Sequence, residues 1–246
     1  MVRVLVVAED VPDATMATQL AERVLASSVS WLQDQNIEHF LEWHGFPQDA
    51  PFRFSKWSKV ADVTAKYRIR ALGHTLGEPL GVDGAAAAKL LKALLLEREL
   101  EETRVVLMVR DMDHQPERRQ GLEQARAFAE KNGVVVLLAT PDPKREAWVL
   151  AGFEPQDERE RGLLAELRRE LAFCPCEEPQ RLRGRSSLGE ATRDIKAVLE
   201  RLTQDSWERE AACWRDAPLD FLERRGTDTG LSEYLEELRE RLVPRL

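Results

Sequence analysis

Long apolar runs occur at three places in the chain. Val2 to Ala8 is a nearly continuous apolar and β-branched run, broken only by Arg3. The segments Arg104 to Arg110 and Val134 to Ala139 have a similar composition. Unbroken apolar runs of this length are typical of strands buried on both faces, as in a parallel sheet. The pattern therefore predicts three core strands.

Between these runs, apolar residues recur at helical spacing. Met16 to Leu25 forms one such stretch, and Ala85 to about Leu100 forms another. Pro116 suits the first turn of a third helix, which Asn132 and Gly133 end. The order strand, helix, strand, helix, strand predicts an α/β fold: a Rossmann-like parallel sheet flanked by helices, with right-handed crossovers.

The domain organisation follows from changes in this pattern. Residues 36–80 are poorly periodic and rich in Gly and Pro, so we interpret them as an irregular insertion with one short strand or helix near 36–43. We predict an α/β domain over 1–155 and a helical extension over 156–246, packed on the sheet or on a partner. The predicted helices after Pro143 lie at about 144–151, 157–172, 190–203, 206–214, 217–224 and 231–242, with a loop over 174–189.

Composition narrows the class of protein. The 246 residues include 36 Lys and Arg against 44 Asp and Glu, and the net charge of −8 argues against a general coat for nucleic acid. No apolar run reaches the roughly 18–20 residues that span a bilayer, which predicts no membrane association. The chain has only three cysteines, an odd number, and no signal-like start, so we expect a reducing cytoplasm as its location.

Acidic side chains follow two of the predicted strands. Glu9 and Asp10 come after the first strand, and Asp111 and Asp113 come after the second. The carboxyl ends of parallel strands meet at one edge of a sheet, so we expect these side chains to lie together. Carboxylates are the ligands that Mg²⁺ prefers. The alternative is that Asp10 or Asp113 only caps a helix or forms a turn.

These motifs resemble a known family. LVVAED (Leu5 to Asp10) and VLMVRDMDH (Val106 to His114) look like the metal motifs of a TOPRIM domain, the fold of topoisomerase and primase metal sites. PKREAWVLAGFEP (Pro143 to Pro155) and the tail TGLSEYLEELRERL (Thr229 to Leu242) resemble a stand-alone bacterial subgroup encoded beside an ATPase in abortive-infection operons. Two positions depart from the pattern: Asp10 stands where the family usually has Gly, and Gly152 where the subgroup often has Asp.

The resemblance implies a nuclease that cleaves nucleic acid with Mg²⁺ or Mn²⁺, in antiviral defence with a partner ATPase. It implies that Asp111 and Asp113 hold the metal and that Glu9 binds metal and acts as general acid/base. Asp10 is a further candidate ligand. Glu146 is another, although its place in a first helical turn is also explained by the helix dipole, which is the interpretation we favour.

Two basic segments are candidate contacts for nucleic acid. Residues 52–70 interleave Phe52, Phe54, Trp57 and Tyr67 with basic residues, a composition that suits phosphate contacts and base stacking, or equally a core with a solvated face. A second segment is a loop rich in Gly, Ser and Arg. The candidate phosphate-binding residues of the two segments are Lys56, Lys59, Arg68, Arg70, Arg181, Arg183 and Arg185.

The sequence allows further interpretations of the cysteines, of the cofactor and of the function. Cys174 and Cys176 either bind a metal or sense oxidation, but no second cysteine pair completes a zinc set. No phosphate-binding glycine loop is present, so we expect no nucleotide cofactor. Apolar stripes on the C-terminal helices, in excess of what a small sheet needs, suggest a docking face for an ATPase. The alternative function is thus a non-catalytic TOPRIM-like subunit that assembles with and regulates an ATPase, and a homo-oligomer also stays open.

Overall fold

The computed structural model describes residues 1–33, 35–46, 53–69, 74–75, 78–81, 83–96, 103–184 and 191–246. These residues divide into two compact units. The first unit comprises Met1–Arg110, Gln115–Ala139 and Glu236–Leu246, and the second comprises Asp111–His114 and Thr140–Leu235. No helix within the described ranges is both long and apolar enough to cross a membrane.

The first unit contains a parallel sheet of five strands. The strands are β1 (Val2–Ala8), β2 (Leu41–His44), β3 (Ser55–Lys56), β6 (Thr103–Val109) and β7 (Val135–Ala139), while β4 (His74–Thr75) and β5 (Glu78–Pro79) form a separate antiparallel pair. The order is β2-β1-β6-β7, and β3 pairs with the end of β1 beyond β2. The three predicted core strands are confirmed, and so is the α/β class with a parallel sheet.

Both faces of this sheet are covered. Val4 to Ala8 are fully buried, although successive side chains of a strand point to opposite faces. This explains why the sequence shows an apolar run here and no alternation. Arg3, the one charged residue of the run, is buried at the start of β1, and its Nε lies 2.8 Å from Glu42 Oε2 on the neighbouring β2.

Helices pack against the sheet in the first unit. They are α1 (Val11–Ser28), α2 (Val60–Ala65), α3 (Gly84–Leu96) and α4 (Pro116–Glu130). α1 packs on β1 and β6, α4 packs on β7, and α3 packs on α4. The predicted helices are confirmed within the described residues, including Pro116 in the first turn of α4 and the positive φ of Gly133 after its end. The predicted end of α3 near Leu100 lies outside the described residues.

The segment 36–80 contains more regular structure than its pattern suggests. A 3₁₀ turn at Ile37–His39 and strand β2 account for the element predicted near 36–43. Strand β3 was not predicted, because two residues are too short to produce a periodic signal. Its pairing with Val7 and Ala8 nevertheless extends the sheet edge to the end of β1.

The second unit is built from helices. They are α5 (Arg145–Ala151), α6 (Glu158–Leu171), α7 (Ile195–Thr203), α8 (Trp207–Arg215), α9 (Leu219–Arg225) and α10 (Leu231–Glu237). The last two residues of α10 and the π-helical turn that follows it, Leu238–Leu242, belong to the first unit. Six helices are present after Pro143 as predicted, but α7 begins at Ile195 and not near 190, after a 3₁₀ turn at Ala191–Arg193. Residue 190 itself lies outside the described residues. The division of the chain at residue 155 stays a prediction.

The core of the second unit centres on Trp148. Its ring stacks on Tyr234 with centroids 5.3 Å apart, and its Nε1 donates to Thr229 O at 2.7 Å. Asp142 N donates to the same carbonyl oxygen at 3.0 Å. This carbonyl therefore ties the loop before α5 to the chain just before α10.

The apolar stripes of the C-terminal helices are almost entirely buried. Leu163 and Leu164 are half-buried, and the other stripe residues are at most 3% exposed: Leu167, Leu171, Ile195, Val198, Leu199, Leu202, Leu231, Tyr234, Leu235, Leu238 and Leu242. These side chains fill the protein interior. The described residues thus give no support to the stripes as a docking face.

We predict that Gly230→Ala destabilises the protein. Gly230 has φ +80°, and an added Cβ would lie 2.4 Å from Thr140 O. The left-handed backbone and the overlap together should lower the free energy of unfolding by about 2–4 kcal/mol. Urea unfolding followed by circular dichroism measures the change.

The matched control is Gly162→Ala in α6, where an added Cβ meets nothing within 4 Å. Alanine favours a helix interior by about 0.5–1 kcal/mol over glycine, so this variant should be more stable than the wild type. If Gly230→Ala is as stable as the wild type, the close approach at Gly230 does not constrain the fold.

Candidate functional site

Glu9, at the end of β1 in the first unit, is bound by an arginine. Its Oε1 accepts a hydrogen bond from Arg110 Nη1 at 2.6 Å. The same guanidinium donates to both carboxylate oxygens of Asp83, at 2.9 and 3.1 Å. Arg110 therefore balances two carboxylates through charge-assisted bonds. Asp83 and Arg110 were not singled out from the sequence, because they lie 27 residues apart without a shared motif.

Asp10 begins α1 as its N-cap. Its Oδ1 accepts from Val11 N at 2.9 Å, and its own N–H donates to Asp13 Oδ2 at 3.0 Å, which completes a capping box. Lys56 Nζ lies 2.9 Å from the same Oδ1. The bonds from Lys56 and from Val11 N lower the pKa of Asp10. Asp10 thus has the capping role that the sequence left open, and its role as a metal ligand stays a prediction.

Asp111 and Asp113, in the second unit, share one lysine. Lys144 Nζ lies 2.7 Å from Asp113 Oδ1 and 3.5 Å from Asp111 Oδ2. Asp111 Oδ1 accepts in addition from Arg145 N at 3.0 Å. The two aspartates of the Asp-x-Asp motif are therefore brought together as predicted, around a cation that the motif does not contain.

Backbone bonds fix this motif against the loop before α5. Met112 N donates to Pro141 O at 2.9 Å, and Asp113 N donates to Pro143 O at 2.8 Å. Asp113 and His114 both have positive φ, 50° and 57°. Such a conformation costs a non-glycine residue about 1–2 kcal/mol, which these bonds help to offset. The local backbone is thus held in an uncommon conformation where the candidate ligands are.

His114 contributes to the same arrangement. Its N–H donates to Asp142 Oδ1 at 2.9 Å, and its ring nitrogen Nδ1 lies 3.2 Å from that oxygen. Its Nε2 lies 3.0 Å from Leu182 O. His114 therefore connects the motif to the loop that carries the second basic segment, a structural role that the sequence did not predict.

Glu146 is buried close to Lys144. Glu146 is 6% exposed, and its Oε2 has no hydrogen-bond partner among the described residues. Its Oε1 lies 3.6 Å from Arg145 Nη2 and 3.8 Å from Lys196 Nζ. A buried carboxylate oxygen without a donor is costly. Arg145 also binds Glu210 at 3.1 Å, and burial raises the pKa of Glu210 in spite of that arginine.

Lys144 supplies the positive charge that offsets the carboxylates of this site. Burial alone would lower the pKa of its ammonium, but the hydrogen bond to Asp113 and the charges of Asp111, Asp113 and Glu146 outweigh it, so the pKa is raised. Lys144 is 18% exposed at the side chain. It is therefore a charged, mostly buried counter-ion for three carboxylates.

The acidic side chains of the second unit are, by their chemistry, suitable ligands for a hard divalent cation. Asp111, Asp113 and Glu146 offer carboxylate oxygens only, and Glu146 Oε2 lacks a donor. Their present arrangement suits an ammonium, because no group of three His, Cys, Asp or Glu side chains in the described part of the chain is placed to hold a metal ion. A metal would thus have to take over the oxygens that now bind Lys144.

No family model, curated protein or solved structure matches this chain. The resemblance to TOPRIM domains therefore stays a prediction that depends on the motifs themselves. One departure from the subgroup has a structural reason. A Cβ at Gly152 would lie 2.2 Å from Cys213 O, so an aspartate does not fit there without a shift of the backbone.

The aromatic residues of the segment 52–70 belong largely to the core. Phe54 and Trp57 are buried, and Trp57 Nε1 donates to Val109 O at 2.7 Å. Tyr67 is half-buried and stacks on Phe46. Phe52 lies outside the described residues. This agrees with the alternative of core aromatics and a solvated basic face.

The candidate phosphate-binding residues differ in their surroundings. Lys59 and Arg68 are exposed, and Lys59 pairs with Asp62 at 3.4 Å, whereas the half-buried Lys56 pairs with Asp10. Arg181 and Arg183 are also exposed, and Arg181 lies over the Phe173 ring and pairs with Glu178 at 2.9 Å. Arg70 and Arg185 lie outside the described residues.

We predict that Lys144→Met makes the stability of the protein depend on a divalent cation. Without the ammonium, Asp111 and Asp113 repel each other, which should lower the free energy of unfolding by about 1–3 kcal/mol in metal-free buffer. Added Mn²⁺ should then raise the melting temperature of the variant more than that of the wild type. Thermal unfolding with and without Mn²⁺ measures both effects.

The control is Lys131→Met, which removes an exposed lysine that follows α4. It should leave stability and its response to Mn²⁺ close to wild type. Equal stability of Lys144→Met and wild type, or the same response to Mn²⁺ in both, would contradict the assignment of Lys144 as the counter-ion of this site.

Proposed function

We propose that this chain is a TOPRIM-like nuclease effector that cleaves phosphodiester bonds of nucleic acid with Mg²⁺ or Mn²⁺, in anti-phage defence with a partner ATPase. The main support is the convergence of Asp111 and Asp113 on one ammonium, that of Lys144, directly after β6. Two carboxylates held this close repel each other unless a positive charge lies between them, so the pair favours a cation, whether an ammonium or a metal ion.

The residues of the second unit have distinct roles in this proposal. Asp111 and Asp113 would hold the metal, and Glu146 Oε2, which has no hydrogen-bond donor among the described residues, would be a further ligand. A divalent cation held there would supply Lewis-acid polarisation of the scissile phosphate and a more acidic water. Lys144, which now pairs with the two aspartates, would then attract a phosphate oxygen of the substrate through its ammonium.

Glu9 acts as general acid/base, the role that the resemblance implies. Lys59 and Arg68 in the first unit, and Arg181 and Arg183 in the second, are exposed cations of the kind that contact phosphates. With Phe54 and Trp57 buried, binding through these residues would depend on charge more than on base stacking.

A second candidate is a non-catalytic TOPRIM-like subunit that assembles with and regulates an ATPase. One observation favours it: each of Glu9, Asp10, Asp111 and Asp113 is bound by an arginine or lysine of the same chain. Such pairs stabilise a fold without any metal. The two candidates differ in whether a divalent cation displaces these pairs.

The nuclease proposal predicts cleavage that depends on Mn²⁺ and on the paired carboxylates. Purified wild type, incubated with plasmid DNA and with total RNA, should cut at least one of them in Mn²⁺ and neither in EDTA. Asp111→Asn and Glu9→Gln should each lower the rate by about 100-fold or more, since each removes a metal ligand or the acid/base. Gel analysis of the products measures the rates.

Asp220→Asn is the matched control, because Asp220 is an exposed carboxylate on α9 whose partner is Arg224 four residues away. It should cut like the wild type. If Asp111→Asn and Glu9→Gln retain the wild-type rate, the catalytic assignment is wrong. A wild type that neither cuts nucleic acid nor responds to Mn²⁺ in thermal unfolding would favour the assembly subunit.

Substrate binding should depend on the exposed basic residues near β3. In an Asp111→Asn background, the double variant Lys59→Ala and Arg68→Ala should bind an oligonucleotide more weakly and lower the slope of log K against log salt by roughly one unit per lost contact. Fluorescence anisotropy over a range of salt measures the slope, with Lys131→Ala as the control. An unchanged slope would show that this face does not contact the substrate.

A further inference from the structure

A cavity of about 290 Å³ in the first unit is lined by one face of α1. The residues that α1 contributes include Val11, Thr18 and Glu22, whose spacing places them on the same side of the helix. Strand β2 contributes Trp43, and the chain just before β3 contributes Phe54. A cavity of this volume is at the small end of the range for ligand pockets, which favours a ligand of few atoms.

The carboxylate of Glu22 lines this cavity and is half-buried. Its Oε1 accepts a hydrogen bond from Trp43 Nε1 at 2.7 Å, the one hydrogen bond that its side chain makes within the described part of the chain. Burial raises the pKa of Glu22 in spite of this bond. Arg53 also lines the cavity but lies 4.0 Å from Glu38 Oε1, and it acts on Glu22 only through its charge. Glu22 is thus an enclosed acid with no ion pair among the described residues.

The rest of the lining combines aromatic rings with further acceptors. Trp43 and Phe54 are 8% and 6% exposed, and aromatic faces attract cations. Thr18 Oγ1 donates to Ala14 O at 2.9 Å within α1, so the lone pairs of this hydroxyl are acceptors. Val11 adds apolar surface and is 45% exposed, which leaves the cavity open to solvent. Acceptors beside aromatic and apolar groups are complementary to an ammonium ion on an apolar body.

We propose that this cavity binds a small primary amine in its protonated form, with the ammonium on Glu22 and the apolar body against Trp43 and Phe54. Arg53, whose side chain is 79% exposed, gives the carboxylate of an amino acid a partner in the same cavity. A simple amine and an amino acid share the ammonium, and the experiment separates these two sources. The proposal is independent of the nuclease assignment, which depends on other residues.

The test titrates the full-length protein with butylamine, phenethylamine, leucine and phenylalanine, and follows the indole signals in ¹⁵N–¹H correlation spectra. The chain has six tryptophans, and the signal of Trp43 is the one that Glu22→Gln moves, because Trp43 Nε1 donates to that side chain. We expect a ligand of this panel to shift the Trp43 signal. For phenethylamine, 2-phenylethanol is the matched uncharged compound, and it should bind about tenfold more weakly or worse, since it lacks the charge-assisted bond to Glu22.

Two variants test the assignment of the ligand to Glu22. Glu22→Gln keeps an acceptor for Trp43 Nε1 and removes only the charge, so it should weaken the binding of the charged ligand by about tenfold or more. Thr18→Leu fills part of the cavity and loses only hydrogen bonds within α1, so it should also weaken binding. Glu158→Gln on α6, whose side chain is 91% exposed, is the matched control and should bind like the wild type.

The panel also identifies the source of the ammonium. Tighter binding of phenylalanine than of phenethylamine would show that Arg53 holds a carboxylate, and Arg53→Gln should then remove the difference. Tighter binding of phenethylamine would identify a simple amine. The amine and the alcohol are compared on the wild type, so a variant that fails to fold does not remove the test. A Trp43 signal that no member of the panel shifts, equal affinity for phenethylamine and 2-phenylethanol, or wild-type affinity in Glu22→Gln would each overturn the proposal.

Discussion

The ammonium of Lys144 is the interaction on which the candidate site depends. Asp111, Asp113 and Glu146 act on one cation in the second unit, and without it like charges would face each other in a mostly buried space. The loop before α5 brings the lysine there, because its backbone binds Met112 and Asp113. The same loop thus provides both the positive charge for the carboxylates and the backbone hydrogen bonds that hold the Asp-x-Asp motif.

This coupling gives the two candidate functions a common physical basis. A lysine that offsets two aspartates stabilises the fold in the absence of metal, and the same oxygens are available to a divalent cation if the lysine moves. Among the described residues, the buried Glu146 Oε2 has no hydrogen-bond donor, a feature that a purely structural ion pair does not explain. The question for this site is therefore which cation the carboxylates bind more strongly.

The sequence by itself determined the elements with strong periodicity and the residues in continuous motifs. The core strands β1, β6 and β7, the main helices and the Asp-x-Asp pair are properties of local pattern, and local pattern is visible in one dimension. Only the tertiary structure decided the partners of the acids. Lys144 lies 33 residues after Asp111, and Arg110 lies 101 residues after Glu9. No local rule connects such pairs, because they meet only after the strands and loops between them have folded.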